Sequence, residues 1–174
     1  DSASVITVAV ETGCGILTWT LPATLALSVA TFAGLNIDLV GSNYVLRFTG
    51  HASSFTQDSS PAFTITLAAP AKLYVSTQPS PSTVSLVAFA TQPVVQLQDL
   101  SGNVVTTDSA SVITVAVETG SGALTTTLTA TLALGVATFA GLNIDLVGSN
   151  YVLRFTGHAS SFTQDSSPAF TITL

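Results

Sequence analysis

Charge is what this sequence has least of: only 7% of its 174 residues are Asp, Glu, Lys or Arg, and just three of those are basic. The net charge is −6, and Arg47, Lys72 and Arg154 are scattered, so the clustered cations that a nucleic-acid binder uses to displace phosphate counterions are missing. Cys14 is the only cysteine, which rules out a disulfide within the chain. Hydrophobic residues make up 47% of the composition, enough for a core and unlike a charged disordered tail. Ser, Thr, Gly and Pro interrupt them well before the ~18 uninterrupted apolar residues of a membrane-crossing helix, so no transmembrane segment is expected.

Catalytic and metal-binding patterns are equally sparse. The nine carboxylates show no spacing that pairs an acid with a base, and there is no G-x-S-x-G elbow. His51 and His158 lie in the same TGHASS turn of two copies of a repeat, so their pairing reflects duplication, and both read as surface-loop residues. Asp99, Asn103 and Asp108 bracket one loop, but no D-x-D-x-D run or closing Glu completes a calcium set, and Asx turns account for them better. The reading is therefore of a non-enzyme with no catalytic residue, no metal and no cofactor.

What the sequence does have is a repeat. DSASVITVAVETG opens at Asp1 and again at Asp108, and the match runs without a gap to TITL at Leu67 and at Leu174. Residues 1–67 align with 108–174 at an offset of 107, while residues 68–107 occur once. Five positions differ: Cys14 against Ser121, Ile16 against Ala123, Trp19 against Thr126, Pro22 against Thr129 and Ser28 against Gly135.

Within the repeat, apolar residues alternate. Ile113, Val115 and Val117 face one way, Thr114, Ala116 and Glu118 the other; Val95 and Leu97, then Tyr151, Leu153 and Phe155, then Phe170 and Ile172 do the same. Period two marks half-buried strands. Gly, Ser and Asn punctuate the runs at Ser101–Asn103, Thr119–Gly122, Gly141, Gly148–Asn150 and Gly157, and no segment carries helical spacing. About seven short strands with turns every 8–12 residues predict an all-β, immunoglobulin-like Greek-key β-sandwich in tandem repeats. Tyr151 follows a Gly-Ser-Asn turn, the place of a tyrosine corner in such sandwiches.

The runs QPVVQLQDLSGNVVT (Gln92 to Thr106), GVATFAGLNID (Gly135 to Asp145) and GSNYVLRFTG (Gly148 to Gly157) resemble the tandem bacterial Ig-like repeats of large surface and secreted proteins, related in pattern to invasin and intimin domains. The resemblance covers essentially the whole chain and implies an extracellular or cell-surface location. It also implies that the first two strands lie around Leu73 to Thr77 and Val94 to Asp99, so 68–174 is a complete repeat and 1–67 is the C-terminal part of one that lacks those strands. The lysine-to-asparagine isopeptide crosslink of some surface modules does not fit, since Lys72 is the only lysine and residues 160–174 contain no Asn.

Such a part-sandwich is expected to expose core residues such as Val5, Val8 and Phe48. Residues 68–107 cannot fold backward to close it, because a strand of about eight residues separates the poles by ~25 Å. The four residues 68–71 reach at most roughly 17 Å. Completion is expected from sequence ahead of Asp1 in a longer array, or by strand donation from a neighbouring subunit. The function so read is a structural module of an extracellular filament, stalk or surface layer, with copies of itself or adjacent repeats as partners. An adhesin-type ligand-binding module and a spacer of a large secreted enzyme are the alternatives. Because four of the five differences enlarge or make more apolar one window of the first copy, Cys14, Ile16, Trp19 and Pro22 are the candidate interface residues.

Overall fold

The computed structural model describes residues 4–18, 22–50, 56–157 and 162–174, and no helix occurs among them. The protein is all-β. It divides into two compact units, Asp1–Leu67 and Ala68–Leu174, at the edge of the sequence repeat.

Among the described residues the second unit contains nine strands, two more than the alternation predicts. In the numbering of the whole chain they are β8 (Lys72–Thr77), β9 (Ser82–Val84), β10 (Val94–Gln98), β11 (Val112–Thr119), β12 (Thr129–Thr131), β13 (Val136–Thr138), β14 (Gly148–Gly157), β15 (Asp165–Ser166) and β16 (Phe170–Thr173). One sheet runs β12-β11-β14-β16-β9, with β15 also on β14, and a second runs β13-β10-β8. The short β9 escapes period-two reading because Pro79 and Pro81 precede it; it lies at a sheet edge, paired in parallel with β16 (Thr171 with Ser82, Thr173 with Val84), where a preceding proline is tolerated.

The alternating residues meet in one core. Val95, Leu97, Ile113, Val115, Phe139, Tyr151, Leu153, Phe155, Phe170 and Ile172 are all buried, while Val117 is only half-buried. Arg154 and Glu118 are on the exposed face, paired with each other, and Ser166 donates to the second oxygen of Glu118 at 2.6 Å. The tyrosine corner is present: the Tyr151 hydroxyl donates to Leu146 O at 2.8 Å and accepts from Gly122 N at 3.0 Å. Gly120 makes it possible, with φ of 120° and a Cα that the Tyr151 ring overlies so closely that a Cβ would come within 2.1 Å of the ring.

The first unit contains β1 (Val5–Thr12), β2 (Leu17–Thr18), β3 (Ala23–Thr24), β4 (Asn36–Ile37), β5 (Gly41–Gly50), β6 (Asp58–Ser59) and β7 (Phe63–Ile65). Its main sheet runs β3-β1-β5-β6, with β7 on β5, and β2 pairs with β4. The β1–β5 register, Val8 opposite Phe48 and a bulge before Thr12, is that of β11 and β14. Tyr44 keeps its corner, donating to Leu39 O at 2.9 Å.

The two units part where a partner strand is absent. Val136–Thr138 is a strand, β13, because β10 lies beside it; the identical Val29–Thr31 forms only an isolated bridge at Val29 to Ala26. Backbone N–H and C=O groups need partners to hold a ladder, and sequence alone does not supply them.

Candidate functional site

The two repeats, alike at all but five positions, allow each shared residue to be compared with itself in two surroundings. Ile113, Leu132, Ala137, Phe139, Leu142, Ile144, Leu153, Phe155, Phe170 and Ile172 are buried in the second unit; their counterparts Ile6, Leu25, Ala30, Phe32, Leu35, Ile37, Leu46, Phe48, Phe63 and Ile65 are all only half-buried. Full burial of such an aliphatic or aromatic side chain stabilises by about 1.5–3 kcal/mol. A shortfall on ten residues rivals the whole ~5–15 kcal/mol by which a small domain is stable.

The half-buried residues form an open apolar face. A hollow of about 110 Å³ is lined by Leu17, Leu35, Asn36, Ile37, Leu46, Phe63 and Ile65. In the second unit the single-copy segment covers the counterparts of these residues. Phe89, 3% exposed, sets its ring edge-on to Phe170 at 5.3 Å, and its N–H donates to Leu142 O at 2.9 Å. Gln92 works as a backbone substitute, accepting from Leu142 N at 3.0 Å and donating to Leu142 O at 3.3 Å. Leu86 N donates to Ile144 O at 2.9 Å, and Val75 N to Asp165 Oδ2 at 2.7 Å.

Not all of the expected exposure occurs. Phe48 does lose its cover, whereas Val8 remains buried at 5%. Phe48 lies opposite it in the β1–β5 register and belongs to the repeat itself, so Val8 is shielded without the missing strands. Val5 is half-buried, as is its counterpart Val112, and owes nothing to the absent segment.

Of the candidate interface residues, Cys14, Ile16 and Pro22 are exposed, Ile16 to 68%, and Trp19 lies outside the described residues, as do His51 and His158. Ile16 adjoins β2, which pairs with β4, whereas Pro22 adjoins β3, which pairs with β1, so these positions do not share one strand. Ile16 N donates to Asp38 Oδ1 at 2.7 Å as Ala123 N does to Asp145 Oδ1 at 2.8 Å, and the added side chain leaves the turn unchanged. Thr129, the counterpart of Pro22, pairs with Thr114 and opens β12, whereas β3 starts one residue later, at Ala23. Thr126, counterpart of Trp19, has a buried Oγ1 without a hydrogen-bond partner, so an apolar side chain suits that position.

The carboxylates are engaged in turns and pairs. Asp99 is buried, which opposes its ionisation, but bonds from Asn103 N at 2.8 Å and Asn103 Nδ2 at 3.0 Å outweigh this and hold its carboxyl below the usual range. Asp108 accepts from Ser111 N at 2.9 Å, Ala110 N at 3.0 Å and Ser111 Oγ at 2.7 Å, which likewise lower it. Both are the expected Asx turns. Of the residues that line the open face, Leu46, Phe63 and Ile65 were legible through the alternation of Leu153, Phe170 and Ile172 in the second copy, Leu35 and Ile37 were not, and the available signal was the unmatched segment 68–107. No protein-family model and no curated protein matches this chain.

Proposed function

We propose that this chain is a structural repeat module of an extracellular filament, stalk or surface layer, built from immunoglobulin-like Greek-key sandwiches in tandem. It acts by assembly and catalyses nothing. The observation that carries this reading is the paired burial: ten residues buried in 108–174 are half-buried in 1–67, so one repeat is closed by segment 68–107 and the other presents an unfilled face. An apolar face beside unpaired backbone favours strand pairing with another copy of the same sequence type. The low charge supports close stacking of modules, since little desolvation of ions opposes it. Electron microscopy of the native material tests the reading. Regular fibres or an ordered layer are expected, and monodisperse isolated particles would overturn it.

A further inference from the structure

We infer that the open face of residues 1–67 is the docking site for a segment of the sequence type of residues 68–107, with its phenylalanine seated as Phe89 is seated in the second unit. The inference rests on the tandem-module reading and specifies what fills the face.

The second unit is the template. Its residues 68–107 cover Leu142, Ile144, Phe170 and Ile172, and the first unit carries the same side chains at Leu35, Ile37, Phe63 and Ile65. The polar recognition groups are duplicated too. Beyond the Leu142 and Ile144 bonds, Phe139 N donates to Pro93 O at 3.2 Å and Ser85 N to Thr173 O at 2.9 Å; Phe32 and Thr66 offer the same backbone atoms. Asp165, which receives Val75 N, corresponds to the exposed Asp58.

The register follows from the second unit. In the second unit the covering segment ends at Thr107, one peptide bond from Asp108, whose counterpart is Asp1. A segment joined ahead of Asp1 is therefore delivered in the same register. A second copy of the chain solves nothing: its residues 68–107 are committed to its own 108–174, and exchange leaves as many open faces as before.

One position sets a condition on the occupant. Gly135 lies under the covering segment, where a Cβ would meet Val105 O at 2.6 Å, and its counterpart is Ser28. The segment that fills the first unit holds its backbone back at the place of Val105, and Ser28→Gly lets it settle.

The test attaches a second copy of residues 68–107 ahead of Asp1 in the full chain and follows amide exchange by NMR. Exchange at Leu35, Ile37 and Phe63 is expected to slow at least a hundredfold, towards that of Leu142, Ile144 and Phe170, and Ser28→Gly slows it further. Phe89→Ala made only in the attached copy restores fast exchange in the first unit and leaves the second unaltered. Unchanged exchange with a protease-sensitive attached segment overturns the inference, as does dimerisation through two open faces with that segment free. Lack of fibres in native material would sink the structural-module reading without altering these exchange rates, and the converse also holds.

Discussion

Truncating Phe89 to alanine isolates the contribution of the segment that distinguishes the two repeats. Its ring is 3% exposed and sits edge-on against Phe170, and its backbone is tied to Leu142. Removal of a buried phenylalanine side chain costs about 3–5 kcal/mol, part lost transfer energy and part cavity. The hole would lie over residues whose first-unit counterparts already line a hollow of about 110 Å³, so little collapse is available to offset it. Against the ~5–15 kcal/mol of a small domain, the loss is roughly a fifth or more of the stability of residues 68–174. At about 4–8 °C per kcal/mol for a domain of this size, the upper thermal transition should fall by about 12–40 °C. Residues 1–67 do not contain Phe89, and their unfolding should be unmoved. Urea denaturation followed by NMR, reading the amides of Leu153 and Phe155 against those of Leu46 and Phe48, separates the two units. A loss below about 1 kcal/mol in the second unit would refute the view that Phe89 anchors the covering segment.

Other outcomes follow from the same geometry. Gly120→Ala forces a Cβ to within 2.1 Å of the Tyr151 ring at a φ of 120°, and should destabilise the second unit by roughly 2–4 kcal/mol in urea titration. Thr126→Val removes a buried hydroxyl with no partner and should raise the urea midpoint by about 1 kcal/mol equivalent; a drop would show that the hydroxyl is satisfied. Asp99, Asp108, Glu11 and Glu118 all have carboxyls held below their usual range, so their stabilisation is complete above the ordinary carboxylate value and is lost as pH falls through the lower folded ones. Urea midpoints should be flat from pH 7 to about 5 and fall below about 4. Asp108→Asn should make that fall shallower, and a midpoint that rises in acid would contradict the assignment.

Much of the second repeat was legible in the sequence because alternation is a direct consequence of strand geometry. Leu153 and Phe155 point inward and Arg154 outward because successive side chains leave opposite faces, and no knowledge of partners is needed. The tyrosine corner was legible from the Gly-Ser-Asn run before Tyr151, since its bond to Leu146 O spans five residues, although Gly148–Asn150 open β14 with a bulge instead of forming the expected turn. Elements that depend on distant partners were not. Ser82–Val84 becomes a strand only by lying along β16, ninety residues away, and Val29–Thr31 fails to become one although the identical Val136–Thr138 does. The open face was legible as a deficit of two strands but not residue by residue. Val8 shows why: whether a core position depends on a missing element is set by which neighbours reach it, here the repeat's own Phe48 across the β1–β5 ladder.

The central claim is that one sequence occurs here twice, once closed and once open. Amide exchange in the 174-residue chain tests it most directly, because identical neighbours give each pair of amides the same intrinsic rate, and segmental isotope labelling tells the copies apart. Leu153, Phe155 and Ile172 should exchange only on global unfolding of residues 68–174, while Leu46, Phe48 and Ile65 should exchange faster by two orders of magnitude or more, about 3 kcal/mol in opening free energy. Equal protection of the two members of every pair would contradict the account.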